Sequence, residues 1–321
     1  MTDILERFAT AEIDPASGKS FELRRPDLSE GARRPSGQAL SSRRVALGAA
    51  LAAAVTIAAL LLTSGGADET TSPMTSNPLL VATASAAEQQ SITNVEYTRS
   101  VSTYANGYAV GGGSSFLYLQ RSTTETWVRP NGSGRVKITP LPGRWPSSRD
   151  KRRAEKGPIP LSQITSTRIK GSDQTLAAAA LDGELTQEDL PPAAELPTDP
   201  DDLLAAFQSQ YTDDLSIVRD RRVFQLATDV LMRPTAPADL RSAAYAVIAG
   251  LATVDVERDA KSPDGSRTAS ATIESKAGAK TTLYFDPSNS RALALTEESN
   301  GRLFSSILVN KVAEVGSLTE K

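Results

Sequence analysis

The side chains that carry most protein chemistry are sparse in this sequence, and two kinds are missing. None of its 321 residues is Cys or His. That excludes disulfides, thiolate nucleophiles, Cys/His metal sites, imidazole bases and the Ser-His-Asp triad together. A bacterial lipoprotein, which needs a cysteine to acylate, is excluded as well. Carboxylates, Lys, Tyr and Ser remain. Ser148 and Lys151, in "SRDK", have the Ser-x-x-Lys spacing of some acyl-transfer enzymes. That chemistry needs both groups on one rigid helix turn, whereas the Pro- and Arg-rich residues 142–160 read as a solvated loop. "GKS", residues 18–20, matches the end of a phosphate-binding loop, but Ile13 stands where the leading glycine belongs and no strand–loop–helix unit fits around it. "SPDG", residues 262–265, lacks the regularly spaced carboxylates of a calcium loop. In "STTETWVRPNGSGRVK", residues 122–137, an anion-binding nest on the glycines would need a following helix. The reading there is a hairpin, with Asn131-Gly132 taking the positive φ angles of a tight turn and Gly134 adding a second permissive position.

The acids have ordinary structural uses. Asp199, Asp201 and Asp202 fall in a helix first turn, Asp264 and Asp286 in turns, Glu257 and Glu274 at exposed strand positions. Paired carboxylates for glycoside hydrolysis would have to come from separate strands facing one cleft. No catalytic, cofactor-binding or metal-binding residue is therefore assigned, no cofactor is expected, and the residues that bind a ligand are unknown.

These side chains hang on a chain whose topology is plain. "VALGAALAAAVTIAALLLT", residues 45–63, has no charge over nineteen residues. As a helix it spans roughly 28 Å, close to the ~30 Å hydrocarbon core. Arg33, Arg34, Arg43 and Arg44 precede it, and no Lys or Arg follows before Arg99. The positive-inside rule places the N-terminus in the cytoplasm and the bulk of the chain outside. "SRRVAL", residues 42–47, partly matches a twin-arginine signal, and "ASA", residues 84–86, has the form of a cleavage site. The apolar run is longer than a signal core and "ASA" lies more than twenty residues past it, so an uncleaved anchor is expected.

The expected organisation is a disordered cytoplasmic tail (1–44), a transmembrane helix (45–63), a linker (64–90) with a short helix over "PLLVATASAAEQQ", and an extracytoplasmic domain (91–321). The tail has eight Lys/Arg against seven Asp/Glu and few apolar residues, too little to bury a core. The whole chain is 39% hydrophobic, enough for one, and its net charge of −3 offers no broad field for nucleic acid. In the domain, "ITNVEYTRSVST" alternates with Val95, Tyr97 and Val101 on one face, and "SSFLYLQRS" and "TTETWV" follow as strands. Three helices come next. Asp199 caps the first, whose stripe is Leu203, Leu204, Phe207 and Tyr211. Val223, Phe224, Ala227, Val230 and Leu231 mark the second, and Leu240, Ala244, Val247 and Ile248 the third, with Gly250 as its stop. An antiparallel meander closes the chain. The basic residues Arg144, Arg149, Lys151, Arg152, Arg153 and Lys156 suit a solvated loop, with anionic headgroups or cell-envelope polymers as a minor alternative.

"TETWVRPNGSGRV", "LPTDPDDLLAAF", "VFQLATDVLMRPTAPADLRSAAYAVIAGL" and "LYFDPSNSRALAL", in this order, resemble an uncharacterised family of actinobacterial single-pass membrane proteins. The resemblance covers roughly residues 95–301 plus the topology; the family usually has an acid where Asn131 stands and more aromatic residues near Trp127. Its members often look like companions of extracytoplasmic-function sigma factors, and no catalytic residues carry over. The element order is also similar to the half-barrel of periplasmic lipoprotein carriers and of regulators that bind anti-sigma factors, a likeness of fold alone. The expected fold is thus α+β, a curved antiparallel sheet covered by about three helices, behind one transmembrane helix. The expected function is non-enzymatic envelope sensing or regulatory binding at the cell membrane, linked through the resemblance to sigma-factor signalling. A tethered carrier of lipid or another apolar ligand is the alternative, and an enzyme using carboxylates only comes third.

Overall fold

The computed structural model describes residues 77–90, 93–109, 115–185, 190–210, 216–275 and 277–320. The expected tail (1–44), membrane helix (45–63) and first part of the linker (64–76) lie outside the described residues. Among the described residues no helix is long and apolar enough to cross a membrane.

Nine strands form one antiparallel sheet, assembled from two meanders. The first is β1 (Val95–Ala109), β2 (Ser115–Val128), β3 (Gly134–Arg144) and β4 (Ser172–Leu176). The second is β5 (Asp255–Lys261), β6 (Arg267–Glu274), β7 (Ala279–Asp286), β8 (Arg291–Ser299) and β9 (Arg302–Val315). β1 and β9 pair along ten residues of β1, so the sheet order is β4-β3-β2-β1-β9-β8-β7-β6-β5. The α+β expectation holds in class, but seven α-helices are described where about three were expected. "SSFLYLQRS" and "TTETWV", read as separate strands, are one continuous β2.

Turn chemistry sets the registers. Between β2 and β3, Gly132 N–H donates to Arg129 O (2.8 Å) and Arg129 N–H to Ser133 O (2.8 Å). Between β5 and β6, Gly265 N–H donates to Ser262 O (2.9 Å) and Ser262 N–H to Ser266 O (2.9 Å). Gly132 and Gly265 have φ of 77° and 90°, and the preceding Asn131 and Asp264 each accept the next Ser N–H. "RPNGS" and "SPDGS" are therefore the same device, a turn closed by a left-handed glycine, and Ser275 and Gly278 repeat its backbone bonds between β6 and β7. Asn131 itself is not left-handed; among described non-glycine residues only Ser290 and Asn300 are. The two-residue turn with positive φ at both positions is Asn300-Gly301 (50° and 70°), between β8 and β9. Gly134 serves a different need. A Cβ there would stand 1.9 Å from Trp127 O and 2.8 Å from Leu181 Cδ2, so the requirement is space.

Seven α-helices are described: α1 (Pro78–Glu88), α2 (Ser148–Lys156), α3 (Leu161–Thr165), α4 (Ala178–Leu185), α5 (Pro200–Ser209), α6 (Ser216–Met232) and α7 (Ala238–Ala249). The last three are those expected; Tyr211, expected on the stripe of α5, lies outside the described residues. Asp199 caps α5 by accepting from Asp201 N and Asp202 N, and Gly250 ends α7. With α1 they form one layer whose side chains, among them Leu80, Phe207, Phe224 and Ile248, pack on Ala269, Ala271, Leu283 and Phe285 of β6 and β7. Two expectations are corrected. Residues 78–88 are not linker, because Leu80, Ala84 and Ala87 of α1 are buried in this core, so the folded unit begins before residue 91. Residues 142–160 are not one loop, because Ser147 caps α2 by accepting from Asp150 N, and Ala154 is buried beneath it.

Candidate functional site

β1 presents its two faces to different partners. Tyr97, on the face the alternation marks as apolar, meets Trp127, Val315 and Leu318. Trp127 is fully buried: its Nε1–H donates to Glu320 O (2.6 Å) and the Arg135 guanidinium lies 4.9 Å from its ring centroid. Arg135 also donates to Leu318 O (3.2 Å). Tyr97 donates to Glu125 (2.8 Å), and burial, aided by that bond, pushes its hydroxyl up to about 12. The "STTETWVRPNGSGRVK" stretch thus anchors residues 316–320 over the sheet, a structural use, as its hairpin reading required.

The opposite face of β1 carries Glu96 and Thr98, and these lie under the helical layer. They border a narrow cleft of about 50 Å³ with Gln90, Met232, Arg233, Arg241, Ser290, Arg291 and Val312. Several elements converge there: the end of α6, the start of α7, the turn before β8, and β1 with β9. The turn before β8 is tightly built. Asp286 accepts from Ser288 N (2.9 Å) and Asn289 Nδ2 (2.8 Å), and Asn289 Oδ1 accepts from Arg291 N (3.1 Å). Ser290, buried, is held at φ 49°, and its carbonyl accepts from the buried Tyr245 hydroxyl (3.1 Å). A non-glycine residue in the left-handed region costs free energy that these bonds offset. The result is Arg291 aimed at the cleft. Arg241 is fixed from the other side, donating to Ala236 O (3.1 Å) and Gln90 Oε1 (3.2 Å); Gln90 in turn donates to Asn289 O.

Electrostatics distinguish this place. Burial raises the Glu96 carboxyl above its usual range, against the pull of Arg241 and Arg291, and Glu314, its cross-strand neighbour on β9, adds to the rise. Burial lowers the Arg241 guanidinium, against the attraction of Glu96. A part-buried carboxyl in the field of two guanidiniums can hold or release a proton. It has no neighbouring His or Cys to activate. Behind the cleft Arg233, 1% exposed, is forked onto Asp229 (2.7 Å and 3.0 Å) and donates to Asp182 (3.3 Å) and Pro191 O (3.1 Å). Asp182 also accepts from Ala193 N (2.7 Å) and Thr235, so this buried network pins the segment after α4 to the α6–α7 junction.

No site residue was assigned from sequence, and Glu96 and Arg291 show why. Glu96 sits on the polar side of an alternating strand, which in an antiparallel sheet ordinarily faces water. Only the packing of α6 and α7 above it makes that side an interior. Ser148 and Lys151 do share a turn of α2, contrary to the loop reading. Both are exposed, and Lys151 faces Glu155 (3.9 Å), so no pocket activates the pair. A second, open groove of about 310 Å³ beside β5 has walls already paired, Arg267 to Asp259 at 2.6 Å. Among the described residues no group of three or more Asp or Glu is arranged to hold a metal ion.

No family model and no curated protein matches the chain. Among solved structures, the complex of MucA and MucB from Pseudomonas aeruginosa matches at 12% identity and a TM-score of 0.28, over 73% of this chain and 55% of that one. A structure of MucB with MucA(peri) matches at 10% identity and a TM-score of 0.24, over 74% and 54%. The chain spans just over half the length of the solved chains it matches. At scores this low the superposition does not define a shared fold.

Proposed function

We propose that the chain is a single-pass membrane protein whose extracytoplasmic α+β domain works by binding a protein partner, in envelope sensing or regulation, and not by turnover. The sequence supports the tether through the uncharged run 45–63 and the arginines on one side of it. Membership of the actinobacterial family, a half-barrel curvature of the sheet and a link to sigma-factor signalling belong to the same reading, carried by the sequence resemblance.

The observation that carries the binding reading is the cleft around Glu96. It is about 50 Å³ and lined by Arg241, Arg291 and Arg233, whereas pockets for small apolar ligands are ~300–1,000 Å³ and mostly hydrophobic. Its size suits one side chain of a partner, a carboxylate entering between Arg241 and Arg291 while Glu96 takes up a proton or turns aside. The carrier alternative draws nothing from this cleft. A photo-crosslinking residue at Met232, on the rim, in the full chain in native membranes tests the reading. The expected result is one protein adduct that disappears with Arg241→Gln. Stoichiometric acyl lipid recovered from the purified chain would replace it with the carrier reading. Turnover of an ester, phosphate, peptide or glycoside reporter, abolished by Glu96→Gln with folding intact, would replace it with an enzyme.

A further inference from the structure

Residues 144–170 hold eight basic side chains against two acidic ones, in a chain whose net charge is −3. The structure sorts them. Asp150 is buried and committed: its carboxylate accepts from Leu117 N (3.0 Å), Ser147 and Arg302 (2.7 Å). Arg153 is tied inward to Ser115 O (2.8 Å). The outer side of α2 is left with Arg149, Lys151, Arg152 and Lys156 exposed, and Glu155 is the only acid among them. Beside this helix Leu161, at the start of α3, is 39% exposed.

The register places this surface at a particular end of the sheet. Asn77, where the described chain begins, donates to Ala249 O at the end of α7 (3.3 Å), shortly before β5 starts at Asp255. Asp255 shares a cross-strand row with Thr272, Thr282, Thr296, Ser306 and Thr103. Just beyond that row lie the β6–β7 and β8–β9 turns. Past them runs the β1–β2 hairpin, on which α2 sits through Leu117 and Ser115, while Arg302 at the start of β9 holds it from the side. Asn77, the first described residue after the apolar run in sequence, and the basic surface are therefore on one end of the sheet. Thirteen residues separate 63 from 77, and even fully extended they reach no more than ~50 Å.

We propose that this basic end docks on the anionic phospholipid headgroups of the bilayer that holds residues 45–63, with Leu161 entering the headgroup layer; this rests on the tethered arrangement proposed above. Exposed cations beside an exposed leucine form the combination that anionic interfaces attract. Docking would fix the orientation of the domain and so the direction from which a partner reaches the Glu96 cleft.

The absence of native cysteine makes Ser162→Cys a unique labelling position, exposed beside Leu161. The full chain, labelled there with a donor fluorophore, is inserted in nanodiscs of neutral lipid or of neutral lipid with about one-third phosphatidylglycerol, each with a headgroup-attached acceptor. Energy transfer should rise about threefold in the anionic discs, fall back in molar salt, and be lost when Arg149, Arg152 and Lys156 are all replaced by Gln. Those three side chains are exposed, so the variant keeps the fold, which circular dichroism checks. Equal transfer in both lipids, or transfer unaffected by the triple variant, overturns the docking while leaving the tether intact. Transfer that rises only on adding an acidic polypeptide or an anionic glycopolymer also overturns it and assigns the surface to that partner. Failure of the chain to enter discs at all sinks the tether, and the docking with it.

Discussion

The two halves of the sheet share one hydrogen-bonding pattern and differ in what covers them. On β6 and β7 the side toward the helices is Ala269, Ala271, Ile273, Leu283 and Phe285, and α1, α5, α6 and α7 close over it as one continuous apolar core. On β1 and β2 the equivalent side is buried and apolar chiefly at its two ends, with the half-exposed Tyr104 between. Tyr108, Phe116 and Tyr118 meet α2 and α3 at one end, and Val128 meets Val136 and Leu181 of α4 at the other. Between them the face carries Thr98, Ser102, Gln120, Ser122 and Thr126, all buried. Hydroxyl side chains pack on a strand as readily as aliphatic ones but contribute little transfer free energy. Stability therefore belongs mainly to the C-terminal half. The Glu96 cleft lies on the seam between the halves, where β1 pairs with β9.

The sharpest way to break this comparison is to delete one aromatic ring from each half. Phe285 and Phe116 are both fully buried. Phe285→Ala should lower stability by about 3–5 kcal/mol, because the continuous core cannot close over the cavity. Phe116→Ala should cost less, and hydrogen exchange should show the loss confined to α2, α3 and the β1–β2 hairpin. Equal losses of global stability in denaturant titrations would show that the hydroxyl-rich half is as firmly built as the other.

Much of the architecture was legible in the sequence. The stripes of α5 to α7 are dense and their caps, Asp199 and Gly250, are of the strongest kinds, so hydrophobic period and end signals agree. The strands and most turns follow from alternation and from Gly and Asn. Other elements were hidden for physical reasons. α2 holds a single buried apolar residue, Ala154, so hydrophobic periodicity is silent there, and its helix signals are the Ser147 cap with basic residues in the last turn. α1 is small and apolar on all sides, which suits a linker helix as well as a core one until α7 is set against it. The Glu96 cleft was illegible because alternation tells which residues share a face, not which face is covered. Val95, Tyr97 and Val101 do share a face, and it is the one away from the helical layer.

A finer test compares two glycines that close hairpins in different ways. Gly134, in the N-terminal half, is required for space. Gly134→Ala would drive a methyl into Trp127 O and Leu181, an overpacking that costs about 1–3 kcal/mol and should free residues 316–320 with Trp127. Gly301, in the C-terminal half, has φ 70° and open space where a Cβ would stand. Gly301→Ala therefore meets only the left-handed penalty, about 1 kcal/mol. The order of the two chemical midpoints checks this. A greater loss at Gly301 would mean that the β8–β9 turn is more strained than its open surroundings indicate.

The smallest effect concerns acid, and here seam and flank should respond with opposite sign. Burial raises the Glu96 carboxyl, so between the ordinary glutamate range and its folded value the native state binds more protons than the unfolded chain. Its contribution to stability is then fullest at low pH and is lost as pH rises through that window. Asp150 is the reverse. Burial works to raise it, but the bonds from Ser147, Leu117 N and Arg302 together outweigh burial and hold it below its usual value. Its contribution is present above the unfolded range and is lost as pH falls through the folded value. Denaturant midpoints followed through the acid range should thus separate in two variants. Glu96→Gln should flatten the decline seen as pH rises through and above the ordinary carboxylate range. Asp150→Asn should remove part of the collapse seen below that range, and hydrogen exchange should place the change at α2. Should Glu96→Gln leave the profile unaltered, Glu96 would titrate as an ordinary surface acid, and the cleft would lose the electrostatic character that sets it apart from the rest of the seam.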